Sequence, residues 1–248
     1  MDITKLKAHA DAWAKELAAV KSQAAASDFP WYPYDTLANF IHLDKVLTGS
    51  RRDLLGLAEG KPIADIGAAD GALAFLLEKL GHQVDILDYG PTNFNTLRGA
   101  RLLKEALKSK VEIHEIDLDS QFRLPRTDYG LIFFLGILYH LKNPYFVLES
   151  LEKATRHLLV STRVAKLAGR KKTEIAGLPV AYLVDPSETN SDSTNYWIFS
   201  QEGLRRIFSR TGWEIRGFVT VGNTKNSDPA TPAGDERAFC LLESRRFL

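Results

Sequence analysis

The feature that most constrains the fold of this chain is an alternation of short apolar runs with stretches of helical periodicity, which begins at Pro62. Strands that alternate with helices favour right-handed crossovers and a parallel sheet covered by helices on both faces. In such sheets, ligands bind at the carboxyl ends of the central strands. The predicted strands are Ile63–Ile66, Val84–Leu87, Val111–Ile116, Leu131–Leu135 and Leu158–Thr162, and the predicted helices are Ala72–Leu80, Asn93–Leu107 and Pro144–Thr155.

The N-terminal quarter has a different pattern. Ile3–Ala25 carries apolar residues at spacings of three and four, which predicts an amphipathic helix with one buried face. Ser27–Tyr34 contains two prolines and four aromatic residues, which is typical of an irregular, partly buried connector. A second helix is predicted over Asp35–Leu57. We therefore expect residues 1–60 to form a helical extension with an aromatic connector.

We expect residues 61–248 to form one α/β domain. Residues 165–199 interrupt the alternation with charged, glycine- and serine-rich sequence, and we interpret them as an inserted cap after the fifth strand. A helix over Gln201–Thr211 is followed by two predicted strands, Trp213–Val221 and Ala238–Glu243. The polar loop between these strands predicts an antiparallel hairpin.

Composition excludes several classes of protein. Of the 248 residues, 45% are apolar and 25% are charged, which excludes a disordered or fibrous chain. The net charge of +1 provides no overall field that would attract a polyanion. The single cysteine, Cys240, excludes an internal disulfide and fits a reducing compartment.

Location and metal binding are also constrained. Charged residues punctuate the first twenty positions, which argues against a signal peptide, and we expect a cytoplasmic protein. The longest apolar run, Leu131–Leu141, has about half the length needed to cross a bilayer, so no membrane association is expected. No metal is expected, because the histidines show no metal-ligand spacing with carboxylates or with the cysteine; those considered are His42, His82, His114 and His157.

The segment from Ile63 to Gly71 is the strongest motif, a strand that runs into a glycine turn and opens a helix. Its glycines permit tight turns and close approach of a ligand to free N–H groups at the helix start. Ala69 stands where a dinucleotide fold would carry its second glycine. Asp88 ends the next strand, where a carboxylate can accept both ribose hydroxyls of a nucleoside. Asp117 follows the third strand and is placed to meet an adenine amine.

These motifs resemble those of the class I S-adenosylmethionine-dependent methyltransferases. The resemblance covers residues 61–242 and implies a Rossmann-like, seven-stranded, mostly parallel sheet whose last strand is antiparallel. S-adenosyl-L-methionine is the implied cofactor. The residues expected to hold it are Asp65, Gly67, Ala68, Gly71, Asp88, Tyr89, Asp117, Leu118, Leu135, Gly136 and Tyr139.

Within that superfamily, residues 135–144 and 193–200 are similar to segments of the group related to the tRNA wobble-uridine carboxymethyltransferases. Tyr139 matches that group's cofactor-pocket tyrosine, and Arg237 aligns loosely with a late arginine. The group's N-terminal lysine, which contacts a carboxylated cofactor, has no counterpart in the connector at residues 29–34. Ordinary S-adenosylmethionine and plain methyl transfer are therefore expected. Gly130 stands where many methyltransferases carry an acid.

Methyl transfer requires alignment of nucleophile, methyl group and sulfur, and a base is needed only when the acceptor must lose a proton. His140 is the first candidate for a base, because it follows the fourth predicted strand and histidine titrates in the useful range; a packing role is the alternative. Tyr139 is the second candidate catalytic residue. The residues expected to bind the acceptor are Trp31, Tyr32, Tyr34, Tyr182, Asn195, Tyr196 and Trp197, with core packing as the alternative for the aromatic ones.

Three main functions remain open at this stage, with a dinucleotide oxidoreductase as a minor alternative. The first is methyl transfer to an oxygen, nitrogen or carbon of a small-molecule acceptor. The second is modification of tRNA, suggested by the resemblance and by scattered basic residues such as Arg170–Lys172, Arg205 and Arg206. The third is a nucleoside-binding module with a methyltransferase fold and no catalysis. The sequence does not indicate an oligomeric state.

Overall fold

The computed structural model describes residues 1–247, so Leu248, the last residue of the predicted domain, lies outside the described residues. The chain divides into two compact units, Met1–Phe133 and the remainder from Phe134 onwards. The predicted boundary near residue 60 and the cap role of residues 165–199 stay predictions.

The first unit contains four α-helices, of which the first is the longest. In that helix, α1, the apolar side chains at spacings of three and four are buried, as predicted, and the Asp2 carboxylate caps the start by accepting from the Thr4 N–H at 2.8 Å. The α-helices of this unit are α1 (Ile3–Ala24), α2 (Phe40–Val46), α3 (Ala72–Lys79) and α4 (Arg98–Leu107).

The strands of the first unit form a parallel array in the order β3, β2, β1, β4. All four residues of β1 are buried, which explains its short, continuously apolar sequence around Asp65. The strands are β1 (Ile63–Ile66), β2 (Val84–Asp88), β3 (Glu112–Glu115) and β4 (Tyr129–Leu135), of which the last continues beyond Phe133.

Two predicted helices of this unit are wrong in part. The continuous helix Asp35–Leu57 is broken into α2 and single 3-10 turns, because Leu47 is extended and Gly49 is left-handed with φ of +57°. The helix predicted from Asn93 begins only at Arg98. The Asn93 side chain accepts from the N–H of Leu97 at 2.9 Å, which holds a turn instead of a helix.

Gly130 has a packing reason that the sequence did not reveal. A Cβ atom at this position would lie 2.0 Å from the main-chain oxygen of Ala58. The N–H of Gly130 also donates to the carbonyl of Pro62 at 2.9 Å. The glycine is therefore required by close approach of two main chains, whatever acid occupies this position in other proteins.

The second unit is built on long antiparallel strands. β11 pairs antiparallel with both β5 and β10, which confirms the predicted hairpin and the antiparallel last strand. Its helices are α5 (Pro144–Glu152) and α6 (Gln201–Arg210). Its strands are β5 (Thr155–Ala165), β6 (Leu167–Ala168), β7 (Thr173–Glu174), β8 (Ala181–Leu183), β9 (Trp197–Ser200), β10 (Trp213–Gly222) and β11 (Glu236–Ser244).

The predicted helix Pro144–Thr155 is three residues too long, because Thr155 already begins β5, and that strand extends beyond the predicted Leu158–Thr162 at both ends. The prediction of seven strands omitted four short ones, β6 to β9, all inside or at the end of the segment interpreted as an insertion. β9 pairs parallel with β5 and antiparallel with β8. The fold is α/β and Rossmann-like, with a mostly parallel sheet, an antiparallel edge and an N-terminal helix, as expected.

Candidate functional site

The glycine turn after β1 has the left-handed backbone that its sequence predicts. The φ angles are +70° at Gly67, +54° at Ala69 and +82° at Gly71. A Cβ atom on Gly71 would lie 2.8 Å from side-chain carbons of Ile86 and Phe75, so this position has both a conformational and a steric need for glycine. Ala69 adopts the same conformation at a strain of about 1–2 kcal/mol. Ala68, between them, is buried.

Two carboxylates lie at the end of this parallel array. Asp65 is 5% exposed, and its Oδ2 atom has no hydrogen-bond partner among the described residues. Asp88 accepts hydrogen bonds from the Tyr89 N–H at 2.8 Å, the Asn93 side-chain amide at 2.9 Å and the Ala69 N–H at 3.3 Å. The end of β2 is thereby connected to the glycine turn.

Burial disturbs the titration of both groups, and repulsion adds to its effect at Asp65. Burial, followed by repulsion from Asp88, raises the pKa of Asp65 to about 7. Burial also raises the pKa of Asp88, although its three hydrogen bonds oppose this rise. A ligand that brings hydroxyl donors or an ammonium group would relieve both carboxylates. The pair therefore fits the ribose and amino groups of S-adenosylmethionine.

Asp117 and Leu118 follow β3 beside this pair. The N–H of Ile116 donates to the main-chain oxygen of Asp88 at 2.9 Å, which places the turn next to the end of β2. The Asp117 carboxylate is partly exposed and accepts from the Asp119 N–H at 2.9 Å, and Leu118 is buried. The structure thus brings Asp65, Asp88 and Asp117 to neighbouring strand ends.

A fourth carboxylate, Asp70, has a role that the sequence did not reveal. It is 3% exposed and accepts from Lys21 Nζ at 2.8 Å, the Tyr32 N–H at 2.9 Å and Asn95 Nδ2 at 2.7 Å. These partners come from α1, the connector and the turn before α4. A Cβ atom on Gly99 would lie 2.2 Å from Asp70 Oδ1, so that glycine makes room for the carboxylate. In the sequence, Asp70 is visible only as the residue before Gly71 at the end of the motif. That position does not indicate which residues donate hydrogen bonds to its carboxylate.

The aromatic connector borders a cavity of about 290 Å³. Tyr32 lies edge-on to Tyr34 and to Phe94, with ring centroids 5.5 Å and 5.8 Å apart, and Tyr34 is 70% exposed. Trp31 lies outside the cavity wall, with Lys21 Nζ 4.9 Å from its ring centroid. The cavity is lined by Ala14, Leu17, Ala18, Lys21, Tyr32, Tyr34, Asp35, Thr36, Leu37, Asp70 and Ala72.

In the second unit, β4 ends at Leu135 and turns at Gly136, whose φ angle is +80°. The N–H of Gly136 donates to the carbonyl of Ser161 at 2.9 Å, which fixes the turn on β5. Tyr139 and His140 follow in a single 3-10 turn, with their ring centroids 4.2 Å apart. Arg237 Nη1 lies 3.4 Å from the Tyr139 hydroxyl oxygen.

His140 contacts the segment that precedes β9. Its Nδ1 atom lies 2.9 Å from Thr194 Oγ1 and 3.1 Å from the main-chain oxygen of Thr194. The Tyr196 N–H donates to the Tyr139 carbonyl at 2.8 Å, which holds the two segments side by side. Burial is the main reason that the pKa of His140 is lowered from its ordinary value.

The remaining predicted acceptor residues have distinct surroundings. Asn195 is 5% exposed, donates to Asn190 Oδ1 at 3.0 Å and has an Oδ1 atom without a partner among the described residues. Trp197 donates its indole N–H to the Lys142 carbonyl at 3.2 Å, and the Tyr196 ring lies 5.7 Å from Lys142 Nζ. Tyr182 belongs to β8 and donates to Glu188 at 2.6 Å, which raises the pKa of its hydroxyl to about 12.

One histidine does lie near carboxylates, against the spacing argument. His114 Nε2 is 3.5 Å from Glu112 Oε2 and 4.0 Å from Asp85 Oδ2, a grouping that could hold a cation. The spacing argument missed this because Asp85 lies on the neighbouring strand. However, Arg126 Nε already donates to Asp85 at 2.7 Å and neutralises it. The expectation of no metal stays a prediction.

No protein-family model matches the chain, and no curated protein matches its sequence. Its fold, in contrast, is similar to many solved structures. The N-terminal domain of EvdMO1 with S-adenosylhomocysteine bound aligns over 98% of this chain and 97% of its own, with a TM-score of 0.54 and 14% identity. That domain is also known in the presence of S-adenosylhomocysteine and D-fucose.

Two further structures are S-adenosylmethionine-dependent methyltransferases. The protein from Mesorhizobium loti aligns over 84% of this chain and 99% of its own, with a TM-score of 0.54 and 14% identity. The protein from Methanosarcina mazei aligns over 77% of this chain and 97% of its own, with a TM-score of 0.52 and 12% identity. At these identities the likeness establishes the shared fold. Residues 1–247 contain no helix with the length and apolar character required to span a membrane.

Proposed function

We propose that this protein transfers a methyl group from S-adenosylmethionine to an oxygen, nitrogen or carbon of a small-molecule acceptor. The observation that carries the proposal is a pair of carboxylates, the buried Asp65 and the partly exposed Asp88, beside the left-handed glycine turn. Asp65 keeps a buried oxygen without a donor among the described residues, which an ammonium group of the cofactor would supply. The same conclusion is supported by the fold shared with a domain that binds S-adenosylhomocysteine and with the S-adenosylmethionine-dependent methyltransferase from Mesorhizobium loti.

The residues proposed to hold the cofactor act in defined ways. Asp88 accepts hydrogen bonds from the ribose hydroxyls, and Asp117 accepts one from the adenine amine. Asp65 pairs with the amino group of the methionine part of the cofactor. The turn from Gly67 to Gly71 provides close main-chain approach. When bound, the cofactor supplies a methyl group already activated on a sulfonium. The other proposed contacts are Ala68, Tyr89, Leu118, Leu135, Gly136 and Tyr139.

For the acceptor, we propose a sugar or natural product. The cavity of about 290 Å³ beside Tyr32 and Tyr34 is close to the lower end of the usual range for ligand sites. Exposed aromatic rings can stack on the apolar face of a sugar or a planar ring. The solved neighbour known in the presence of D-fucose makes sugars the first acceptors to screen. Trp31, Tyr182, Asn195, Tyr196 and Trp197 are the further proposed acceptor contacts, and His140 and Tyr139 the proposed catalytic residues.

Calorimetric titration with S-adenosylmethionine and S-adenosylhomocysteine tests the cofactor site. We expect micromolar binding that weakens by about 10- to 100-fold in Asp88→Ala, since hydrogen bonds to a charged group contribute about 1.5–3 kcal/mol. Glu105→Ala is the matched control, because it removes an exposed helical carboxylate and should leave binding unchanged. Absence of binding to the unaltered protein would refute the proposal. Binding without transfer to any acceptor would favour the non-catalytic module.

A second candidate is transfer of a carboxymethyl group to tRNA. The contact between Arg237 and the Tyr139 hydroxyl favours it, because this pair could receive a carboxylate. Several basic residues that could follow a phosphate backbone are instead paired, among them Lys172 with Asp228 and Arg206 with Glu202. Tighter binding of the carboxylated cofactor than of S-adenosylmethionine, with salt-dependent tRNA binding, would support this candidate. We also propose a cytoplasmic location.

A further inference from the structure

Two oxygen atoms of Thr194 lie within hydrogen-bond distance of His140 Nδ1, and Asp192 fixes the hydroxyl among them. The Thr194 hydroxyl donates to Asp192 Oδ1 at 2.6 Å, so its oxygen faces His140 Nδ1 as an acceptor at 2.9 Å. The second group near Nδ1 is the main-chain oxygen of Thr194 at 3.1 Å, which can only accept. Two acceptors therefore face Nδ1, and the neutral imidazole must carry its proton there.

This arrangement leaves the other nitrogen, Nε2, with its lone pair. Nε2 makes no hydrogen bond with any described residue. The fully buried polar atoms that lack a hydrogen-bond partner do not include it, so Nε2 keeps some exposed surface. It is therefore reachable from solvent. A histidine whose Nδ1 proton is held by a hydroxyl oxygen and a main-chain carbonyl oxygen is oriented to accept a second proton at Nε2.

The charged groups facing His140 oppose each other. Asp192 favours the protonated imidazole, Arg237 disfavours it, and the Tyr139 ring packs against it. Asp192 also accepts from the Thr194 N–H at 2.9 Å, so its carboxylate is fixed by two donors of one residue. The carboxylate is thus held where it orients the threonine hydroxyl and supports positive charge on the ring.

We propose that Asp192 and Thr194 are positioning residues, which keep the proton of neutral His140 on Nδ1 and leave Nε2 to accept the proton of the acceptor. This inference rests on the methyl transfer proposed above. In that step the attacking atom of the acceptor bonds to the methyl carbon, the carbon–sulfur bond breaks toward sulfur, and the proton of the attacking atom passes to Nε2. The acceptor would accordingly carry a proton on its attacking atom.

Nuclear magnetic resonance of protein labelled with ¹⁵N-histidine tests the inference without turnover. The chain has six histidines, and the His140 signals are identified by their loss in His140→Gln. We expect the neutral form of His140 to carry its proton on Nδ1. Asp192→Asn should lower the pKa of His140, because the carboxylate favours the charged ring. Thr194→Val should reduce the fraction of the Nδ1-protonated form, whereas Thr194→Ser, which keeps the hydroxyl, should preserve it.

A neutral His140 that carries its proton on Nε2 would overturn the inference. Equal tautomer fractions and equal pKa values in Thr194→Val and the unaltered protein would overturn it as well. Calorimetry with S-adenosylhomocysteine on the same samples keeps the two proposals apart. If the unaltered protein does not bind S-adenosylhomocysteine, the proposed function is refuted. The ¹⁵N spectra would still show which nitrogen of His140 carries the proton.

Discussion

Asp70 in the first unit and His140 in the second are both fixed by hydrogen bonds, but the bonds differ in kind. Asp70 is almost fully buried, and its three donors come from three separate segments. His140 is partly exposed, and its Nδ1 faces two atoms of one residue, Thr194. The difference indicates that the Asp70 cluster stabilises the fold, whereas the His140 cluster orients one ring and contributes little to stability.

Asp70→Ala should give the largest effect. It leaves Lys21, the Tyr32 N–H and Asn95 without their acceptor, and breaking a buried ion pair by removing one partner typically destabilises by about 3–5 kcal/mol. Urea unfolding measures the change. Lys21→Met is the matched control and should be milder, because Asp70 keeps two donors. A loss below about 1 kcal/mol in Asp70→Ala would contradict the structural role of this cluster.

Asp65→Asn should make the first unit more stable at high pH. The pKa of Asp65 is about 7 in the folded protein, against 3.8 for an ordinary aspartate, so its contribution to stability is complete below 3.8 and is lost as the pH rises through 7. The shift corresponds to at most about 4 kcal/mol. The variant should therefore equal the unaltered protein near pH 4 and become more stable than it towards pH 8.5.

Unfolding curves across this pH range measure the difference between the two proteins. A difference that does not change with pH would show that Asp65 does not titrate as described. If Asp65→Asn is more stable but binds S-adenosylmethionine weakly, the charged Asp65 carboxylate strengthens ligand binding and lowers the stability of the fold.

Thr194→Val should have a small effect on stability, about 1 kcal/mol, because it removes a side-chain hydroxyl that makes hydrogen bonds at a partly exposed position. Thermal or urea unfolding measures it, with Thr194→Ser as the control that keeps the hydroxyl. A loss of about 3 kcal/mol or more, as expected for a buried ion pair, would remove the contrast with Asp70 and would make the His140 cluster a structural one.

Tyr34→Ala should have the smallest effect on stability, within about 0.5 kcal/mol, because the side chain is 70% exposed. The variant should nevertheless weaken binding of acceptors that stack on the connector. Unfolding measures the first effect, and the acceptor KM in the transfer assay measures the second. Tyr145→Ala, another partly exposed tyrosine, controls for the loss of an aromatic ring elsewhere.

The sequence predicted what depends on short-range pattern. The strand and glycine turn from Ile63 to Gly71 follow from nine consecutive residues, and the helix α1 follows from its apolar spacing. The α/β fold and the antiparallel hairpin were also predictable, because the spacing of apolar residues within each segment indicates whether it forms a helix or a strand. The helix predicted over Asp35–Leu57 was wrong because composition alone did not reveal the extended Leu47 and the left-handed Gly49.

The parts that sequence did not reveal depend on contacts distant along the chain. Asn95 lies 25 residues from Asp70, and Thr194 lies 54 residues from His140. Single polar residues at such separations have no periodicity and no spacing rule, so only folding brings them together. For the same reason, the sequence does not link His140 to Thr194 and Asp192.

Gly99 lacks a side chain where the carboxylate of Asp70 and the amide of Asn95 meet, with only 2.2 Å between a would-be Cβ and Asp70 Oδ1. Substitution at any one of these positions therefore changes what the other two tolerate. Alanine at position 99 requires both the Asp70 carboxylate and the Asn95 amide, which would lie 2.2 Å and 2.7 Å from its Cβ, to shift or be replaced. Across divergent sequences of this fold, the three positions should consequently covary, and their joint pattern would distinguish chains that fasten the connector in this way from those that do not.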